Sequence, residues 1–232
     1  MDMVAKYSLK PTAQDTVYLK SIWETINFVS CPRLYNFHLH TIASDGQLIA
    51  PALAEQAISI GLRGFAITDH HSVEGYRLAE QHLVAIGLGD AKINLPHLWT
   101  GVEITSQLLG VDVHILGYGF DPEHPSLNLY LQGERPQGKD AKAQQVIDSI
   151  HQAGGLAVLA HPERYRRSGA ELIPAIAALG IDGVETYYAY NNPQVWQPSP
   201  GKTERVQALA EKYHLFNTCG TDSHGLNIMQ RI

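Results

Sequence analysis

Seven short clusters of histidine and acidic residues punctuate this chain, each at the end of an apolar, strand-like run. They are Asn36-Phe37-His38-Leu39-His40, Ser44-Asp45-Gly46, Thr68-Asp69-His70-His71, Gly101-Val102-Glu103, Val113-His114-Ile115-Leu116-Gly117, Ala160-His161-Pro162 and Gly220-Thr221-Asp222-Ser223-His224. Side chains two apart on a strand share a face, so His38 with His40, and Asp222 with His224, can grip one ion. Imidazole and carboxylate suit zinc, iron or manganese, whereas a closed structural zinc site would draw on thiolates, which these clusters lack.

A chain so patterned must fold to bring many strand ends together. A loose helical stripe (Val17, Ile22, Ile26, Val29) precedes a strand near Tyr35–His40, and a helix from about Gln47 carries Pro51 in its first turns and stops before Gly61. Further strands are expected near 63–68, 98–104, 111–118, 156–160, 183–186 and 215–219, with helices near 73–86, 139–152, 170–179 and 203–213. Alternating strands and helices imply a largely parallel sheet with helices outside. An open sheet gathers ligands at one switch point between a few strands, whereas a closed barrel gathers all its C-terminal ends at one mouth. The expectation is therefore an α/β barrel with a metal site at those ends. Residues 1–33 read as a helical extension packed on a barrel domain of residues 34–232. The proline-rich stretch 191–200 reads as a loop.

Composition narrows the function classes. At 232 residues and 44% hydrophobic the chain can bury one substantial core. A formal charge of -6 argues against a broad hold on nucleic acid, without excluding a nucleotide or short oligonucleotide. Cys31 and Cys219 fit no disulfide framework, the opening residues lack the apolar run of a signal peptide, and no stretch approaches a membrane span. A cytoplasmic protein with no membrane association and no obligate protein partner is expected.

The ordered set His-x-His, Ser-Asp-Gly, Thr-Asp-His, Gly-x-Glu, His-x-Leu-Gly, His-Pro and Gly-Thr-Asp-Ser-His, spanning about Asn36 to Gly225, resembles the PHP (polymerase and histidinol phosphatase) family of metal-dependent phosphoesterases. The resemblance implies a distorted (β/α)7 barrel with two or three divalent ions at its mouth. His38, His40, Glu103 and Asp222 would hold one ion, and Glu103 would bridge to a second held by His114 and His161. Asp45, His70 and His224 would hold a third. Some family members carry histidine at the position of Asp45, which leaves zinc, manganese and iron all open. Glu103, Asp222 and His224 are the expected catalytic groups.

The chemistry also follows from charge. A phosphomonoester is an anion whose hydrolysis needs charge neutralisation, positioning and a hydroxide, which paired metals supply by lowering the pKa of water toward ~7. Three divalent ions bring about six positive charges, and Asp45, Glu103, Asp222 and one hydroxide offset only about four. Arg164, Arg166 and Arg167 are candidate phosphate contacts, and His71 a candidate substrate residue. Asp69 is expected to orient a neighbouring imidazole, and Tyr187, Tyr188 and Tyr190 either stack on a ring or pack the rim. A lone histidine in an apolar strand, such as His114 taken alone, is ordinarily a hydrogen-bonded core residue, a reading that its spacing after Glu103 and its His-x-Leu-Gly context reverse. His82 and His151, within expected helices, and His97, His124 and His214, near element ends, read as solvent-facing or structural and are assigned no role. The leading expectation is a phosphoesterase acting on a small phosphomonoester such as a nucleotide, sugar phosphate or amino-alcohol phosphate. The alternatives are a nuclease releasing mononucleotides from short oligonucleotides and a non-catalytic metal-binding module.

Overall fold

Strands and helices alternate through the computed structural model, which describes residues 12–90 and 92–232; residues 1–11 of the expected N-terminal extension lie outside the described part. The elements are α1 (Thr16–Trp23), β1 (Tyr35–Asn36), α2 (Ala50–Ile60), β2 (Gly64–Ala66), α3 (Glu74–Gly89), β3 (His97–Trp99), β4 (Gly101–Leu108), β5 (Val111–Tyr118), α4 (Ala143–Gln152), β6 (Leu156–Leu159), α5 (Gly169–Ala177), β7 (Gly183–Tyr187), α6 (Pro200–Lys212) and β8 (Phe216–Cys219).

Local chemistry sets the helix ends. Pro51 enters the first turn of α2, where its missing N–H is no loss, and Gly61 ends the helix in the left-handed conformation at φ 79°. In α5 the Ser168 side chain and Glu171 form a reciprocal capping box. Asp15 caps α1 by accepting the Tyr18 N–H at 2.8 Å. This short helix buries Leu19 and Trp23, and the Trp23 ring meets Tyr118 and Phe37 edge-on at 5.5 and 6.2 Å. Of the described helices, α2 and α3 pack with Phe65 and Ile67, α4 packs on β4, β5 and β6, and α6 packs on β7, β8 and α5. Among the described residues no helix is long and apolar enough to cross a membrane.

The strands form two sheets. β1, β2 and β3 are parallel; in the second sheet β6, β7 and β8 are parallel, but β5 runs antiparallel to both β4 and β6. The expected parallel order is thus corrected at β5. Leu109 (φ 50°) and Gly110 (φ 77°) alone connect β4 to β5, a two-residue left-handed turn that leaves no room for a crossover helix. As a result Glu103 and His114 lie inside strands rather than at C-terminal ends.

Among the described residues strand pairing gives these two sheets and no closed barrel. Isolated bridges nevertheless join them at two places, Leu39 with Ser223 and His70 with Glu103. Backbone bonds reinforce both seams: His40 N–H to Ser223 O at 3.0 Å, Asp222 N–H to His38 O at 2.9 Å, and His71 N–H to Glu103 O at 3.0 Å. His38, His40, His70, Glu103 and Asp222 sit on these seams.

Candidate metal centre

Glu103 is the hub. Its Oε2 lies 3.0 Å from His38 Nε2, 3.1 Å from His40 Nε2 and 3.6 Å from His70 Nε2, while its Oε1 lies 2.7 Å from His114 Nδ1 and 3.4 Å from His161 Nε2. Asp222 Oδ1 approaches the same two strand-end histidines, at 3.4 Å from His38 Nε2 and 3.3 Å from His40 Nε2. Three donor groups result: His38, His40, Glu103 and Asp222, all buried; His40, Asp45, His70 and His224; and His70, Glu103 and His114. These differ in two places from the expected division. His40 also faces Asp45, and His70 rather than His161 completes the group with His114.

Hydrogen bonding elsewhere fixes which nitrogens face inward. His38 Nδ1–H donates to Glu185 Oε1 at 2.9 Å, and His224 Nδ1–H donates to the Asp222 carbonyl at 2.7 Å. In the neutral rings each Nε2 is then a bare lone pair, aimed at Glu103 Oε2 for His38 and at Asp45 Oδ2, 3.2 Å away, for His224. Acceptor facing acceptor at such distances needs a cation or a proton between them. Both ring nitrogens of His40 are buried without a hydrogen-bond partner, although Nε2 is 3.1 Å from a carboxylate. Atoms that converge on shared points instead of bonding each other fit a set of metal ligands.

The electrostatics agree. Desolvation opposes charging of His38, yet Glu185, Glu103 and Asp222 outweigh it and hold its pKa well above the ordinary imidazole value. For His40 desolvation is likewise outweighed, by Asp222 and Glu103, and the pKa rises to about 9. Burial disfavours the charged forms of Glu103 and Asp222, but the surrounding imidazoles, His38 foremost, hold both carboxyls well below their usual range. Without cations, protons take the places that cations would fill.

Around this hub a second set of residues acts, among them Arg231 and Tyr165, which the sequence did not single out. Asp222 Oδ2 accepts from Tyr188 OH at 2.6 Å, Arg164 Nη1 at 2.8 Å and Arg231 Nε at 2.8 Å, which aims Oδ1 at the imidazoles. Asp222 itself is held at φ 54°, a costly conformation for a residue with a side chain. Tyr165 accepts the His114 N–H and donates to Ala160 O, spanning β5 and β6. Asp69 touches no imidazole; it accepts from Thr41 N, Thr41 Oγ1 and Ser44 Oγ, so it shapes the loop carrying Asp45. Arg231 and Tyr165 stand in no ligand-like motif, and only their tertiary partners reveal them.

The expected substrate residues divide. Arg164 lines the cavity of about 140 Å³ among the ligands, as does Arg231. Arg166 lies further out, on a neighbouring groove. Arg167 turns away from both, since its Nε donates to Leu109 O and its Nη1 to Glu171. His71 is 4% exposed, its Nε2 accepts the Thr105 N–H at 3.3 Å, and burial with the nearby His70 pushes its pKa down to about 4. It is therefore neutral at ordinary pH and unsuited to proton donation.

No family model matches the sequence. The chain is similar to a 5'-3' exoribonuclease of Haemophilus influenzae, 30% identical over 264 aligned positions that cover 82% of this chain and 89% of the relative. It is also 26% identical to the 5'-3' exoribonuclease Rnm of Escherichia coli, over 82% of this chain and 85% of the relative. The Haemophilus alignment is longer than the 232 residues of this chain, so that relative carries insertions that this chain lacks. Among solved structures, a protein of Bifidobacterium adolescentis assigned as a metal-dependent phosphoesterase shares the fold with TM-score 0.68 and 24% identity, over 84% of this chain and 88% of that one. A lesion-specific endonuclease of Pyrococcus furiosus matches with TM-score 0.52 and 16% identity, over 83% of this chain and 48% of that one.

Proposed function

This chain belongs to the PHP family of metal-dependent phosphoesterases, hydrolases of phosphoester bonds, and we propose that it removes mononucleotides from the 5′ end of short RNA. The sequence alone put a small phosphomonoester first. The likeness to exoribonucleases over almost nine-tenths of the relative's length moves the phosphodiester of RNA ahead of it.

The observation that carries the reading is the convergence of five imidazoles on the two oxygens of Glu103. In this reading two or three divalent ions, zinc, manganese or iron, are held by His38, His40, Asp45, His70, Glu103, His114, His161, Asp222 and His224. Such ions would acidify water and neutralise phosphoryl oxygens. Glu103 keeps the donor groups at fixed spacing, and Glu185 keeps the His38 lone pair turned inward. Arg164 and Arg231, each anchored by one nitrogen on Asp222, offer their remaining N–H groups to the phosphate. His224 acts through Nε2, because its Nδ1 proton is committed to a backbone carbonyl.

The reading includes the finer fold. In this reading the two seams close the sheets into a distorted (β/α)7 barrel when β3 and β4 count as one strand, and residues 12–33, with α1, cover that barrel. With both cysteines free, a reducing, cytoplasmic setting belongs to it as well.

The test is a time course on a 5′-phosphorylated RNA decamer with a 3′ fluorophore, using protein loaded with manganese, zinc or iron. Shortening one nucleotide at a time, with mononucleotides in the supernatant, is the expected result. Release of phosphate from small phosphomonoesters without shortening of RNA would restore the phosphatase reading.

A further inference from the structure

A second concavity adjoins the metal cavity. It is an open groove of about 470 Å³ lined by Gly110, Val111, Asp112, Arg164, Tyr165 and Arg166. Arg164 is a wall of both spaces. At about 140 Å³ the metal cavity falls short of the range of about 300–1,000 Å³ in which small-molecule ligands are usually housed, whereas the groove lies within it. A phosphate among the ligands must therefore leave most of its substrate outside, and the groove is the adjoining space.

The groove is built rather than incidental. Its two walls, the β4–β5 turn and the loop after His161, are cross-braced where Arg167 Nε donates to Leu109 O at 2.8 Å. Tyr165, which lines the groove, has its ring 5.4 Å from the His161 ring and its hydroxyl tied to His114 N on β5 and to Ala160 O just after β6. Asp112 and His114 stand two apart on β5 and so face the same side. The Asp112 carboxylate is paired with Arg135 at 2.9 Å, which tempers its repulsion of an anion. Arg166, exposed on the rim, makes no hydrogen bond or ion pair among the described residues.

Resting on the exoribonuclease reading, we propose that this groove holds the nucleotide on the 3′ side of the scissile phosphate, with Arg166 contacting its next phosphodiester. The chain as a whole carries charge -6, so a hold on RNA has to be local, and the groove supplies it. Being open, it lets the remaining strand of any length run out to solvent.

The probe is a 3′-fluorescein RNA pentamer, with anisotropy recorded on full-length Glu103→Gln protein in manganese, so that binding is read without cleavage. Adding Arg166→Glu should raise the pentamer Kd roughly tenfold or more and flatten the slope of log K against log salt by about 0.7, and Arg166→Lys should recover most of the affinity. AMP, which does not reach Arg166, should bind alike in all three. Gly110→Asp gives a second arm: the position is left-handed at φ 77°, so any side chain strains it, and no atom lies within 4 Å of an added Cβ. Gly110→Asn carries the same strain without the charge, so only the aspartate should weaken the pentamer. A pentamer Kd within twofold in Arg166→Glu and Gly110→Asp would overturn the proposal, as would an equal loss for AMP. Failure of the underlying reading looks different: wild-type protein would bind the pentamer but never shorten it.

Discussion

Glu185 Oε1 lies 2.9 Å from His38 Nδ1, while its other oxygen accepts the backbone N–H of His161 at 2.9 Å, so one buried carboxylate sets the orientation of one ligand and the backbone of another. Glutamine at this position has a single acceptor oxygen for two donors. If that oxygen keeps the His161 N–H, the amide nitrogen faces His38 Nδ1 and drives the ring to the tautomer with a proton on Nε2. Glu185→Gln should therefore weaken metal binding by about 10–100-fold without unfolding the protein, as read by competition with a chelating dye. Unaltered affinity would show that Glu185 does not set the tautomer.

The raised imidazole values give a pH dependence with a definite sign. In ion-free protein the charges on His38 and His40 contribute stability that is fully present below about pH 6.5, and it is lost as pH rises through the folded values, about 9 for His40. Ions replace those protons and bind the neutral rings better as pH rises. The melting temperature of chelator-treated protein should fall between pH 7 and 9, and its gap from metal-loaded protein should widen. A gap that stays constant across this range would contradict the account.

Gly75 sits where a Cβ would come within 2.0 Å of Asp69 Oδ2 and 2.7 Å of Thr41 Oγ1. Gly75→Ala must displace the carboxylate that organises the Asp45 loop. A loss of about 1–3 kcal/mol is expected in denaturant melts, together with weaker binding at the Asp45, His70 and His224 group. An alanine variant as stable as the parent would show that Asp69 has freedom the packing denies it.

Trp23 carries the attachment of α1. Being 2% exposed and edge-on to Tyr118 and Phe37, it should cost about 3–5 kcal/mol on replacement by alanine, measured by urea unfolding. A cost below 1 kcal/mol would mean that α1 is an appendage.

Much of the strand and helix order was legible because ligand motifs and apolar periodicity agree. His38 and His40 are two apart and reach the same carboxylate oxygen, as an extended segment requires. The reversal at β5 was not legible, because Leu109-Gly110 lacks the Asn-Gly or Asp-Gly signature and both neighbouring runs look like ordinary strands. Arg231 and Glu185 escaped notice, and the part Tyr188 plays on Asp222 was not foreseen, for another reason: each acts through long-range partners, and nothing in its own neighbourhood in the sequence announces them. Arg167 shows the converse. A cation beside a ligand motif looked like a phosphate contact, but its donors are taken by Leu109 O and Glu171.

The central claim is that Glu103 joins the ion-binding groups on which hydrolysis depends. The most direct test counts bound metal by elemental analysis in wild-type protein and in Glu103→Gln, alongside RNA shortening by the same preparations. The account predicts two or three ions in the wild type, at least one fewer in the variant, and a fall in activity of at least about 100-fold with the fold intact. Equal metal content and equal activity in the two proteins would contradict it.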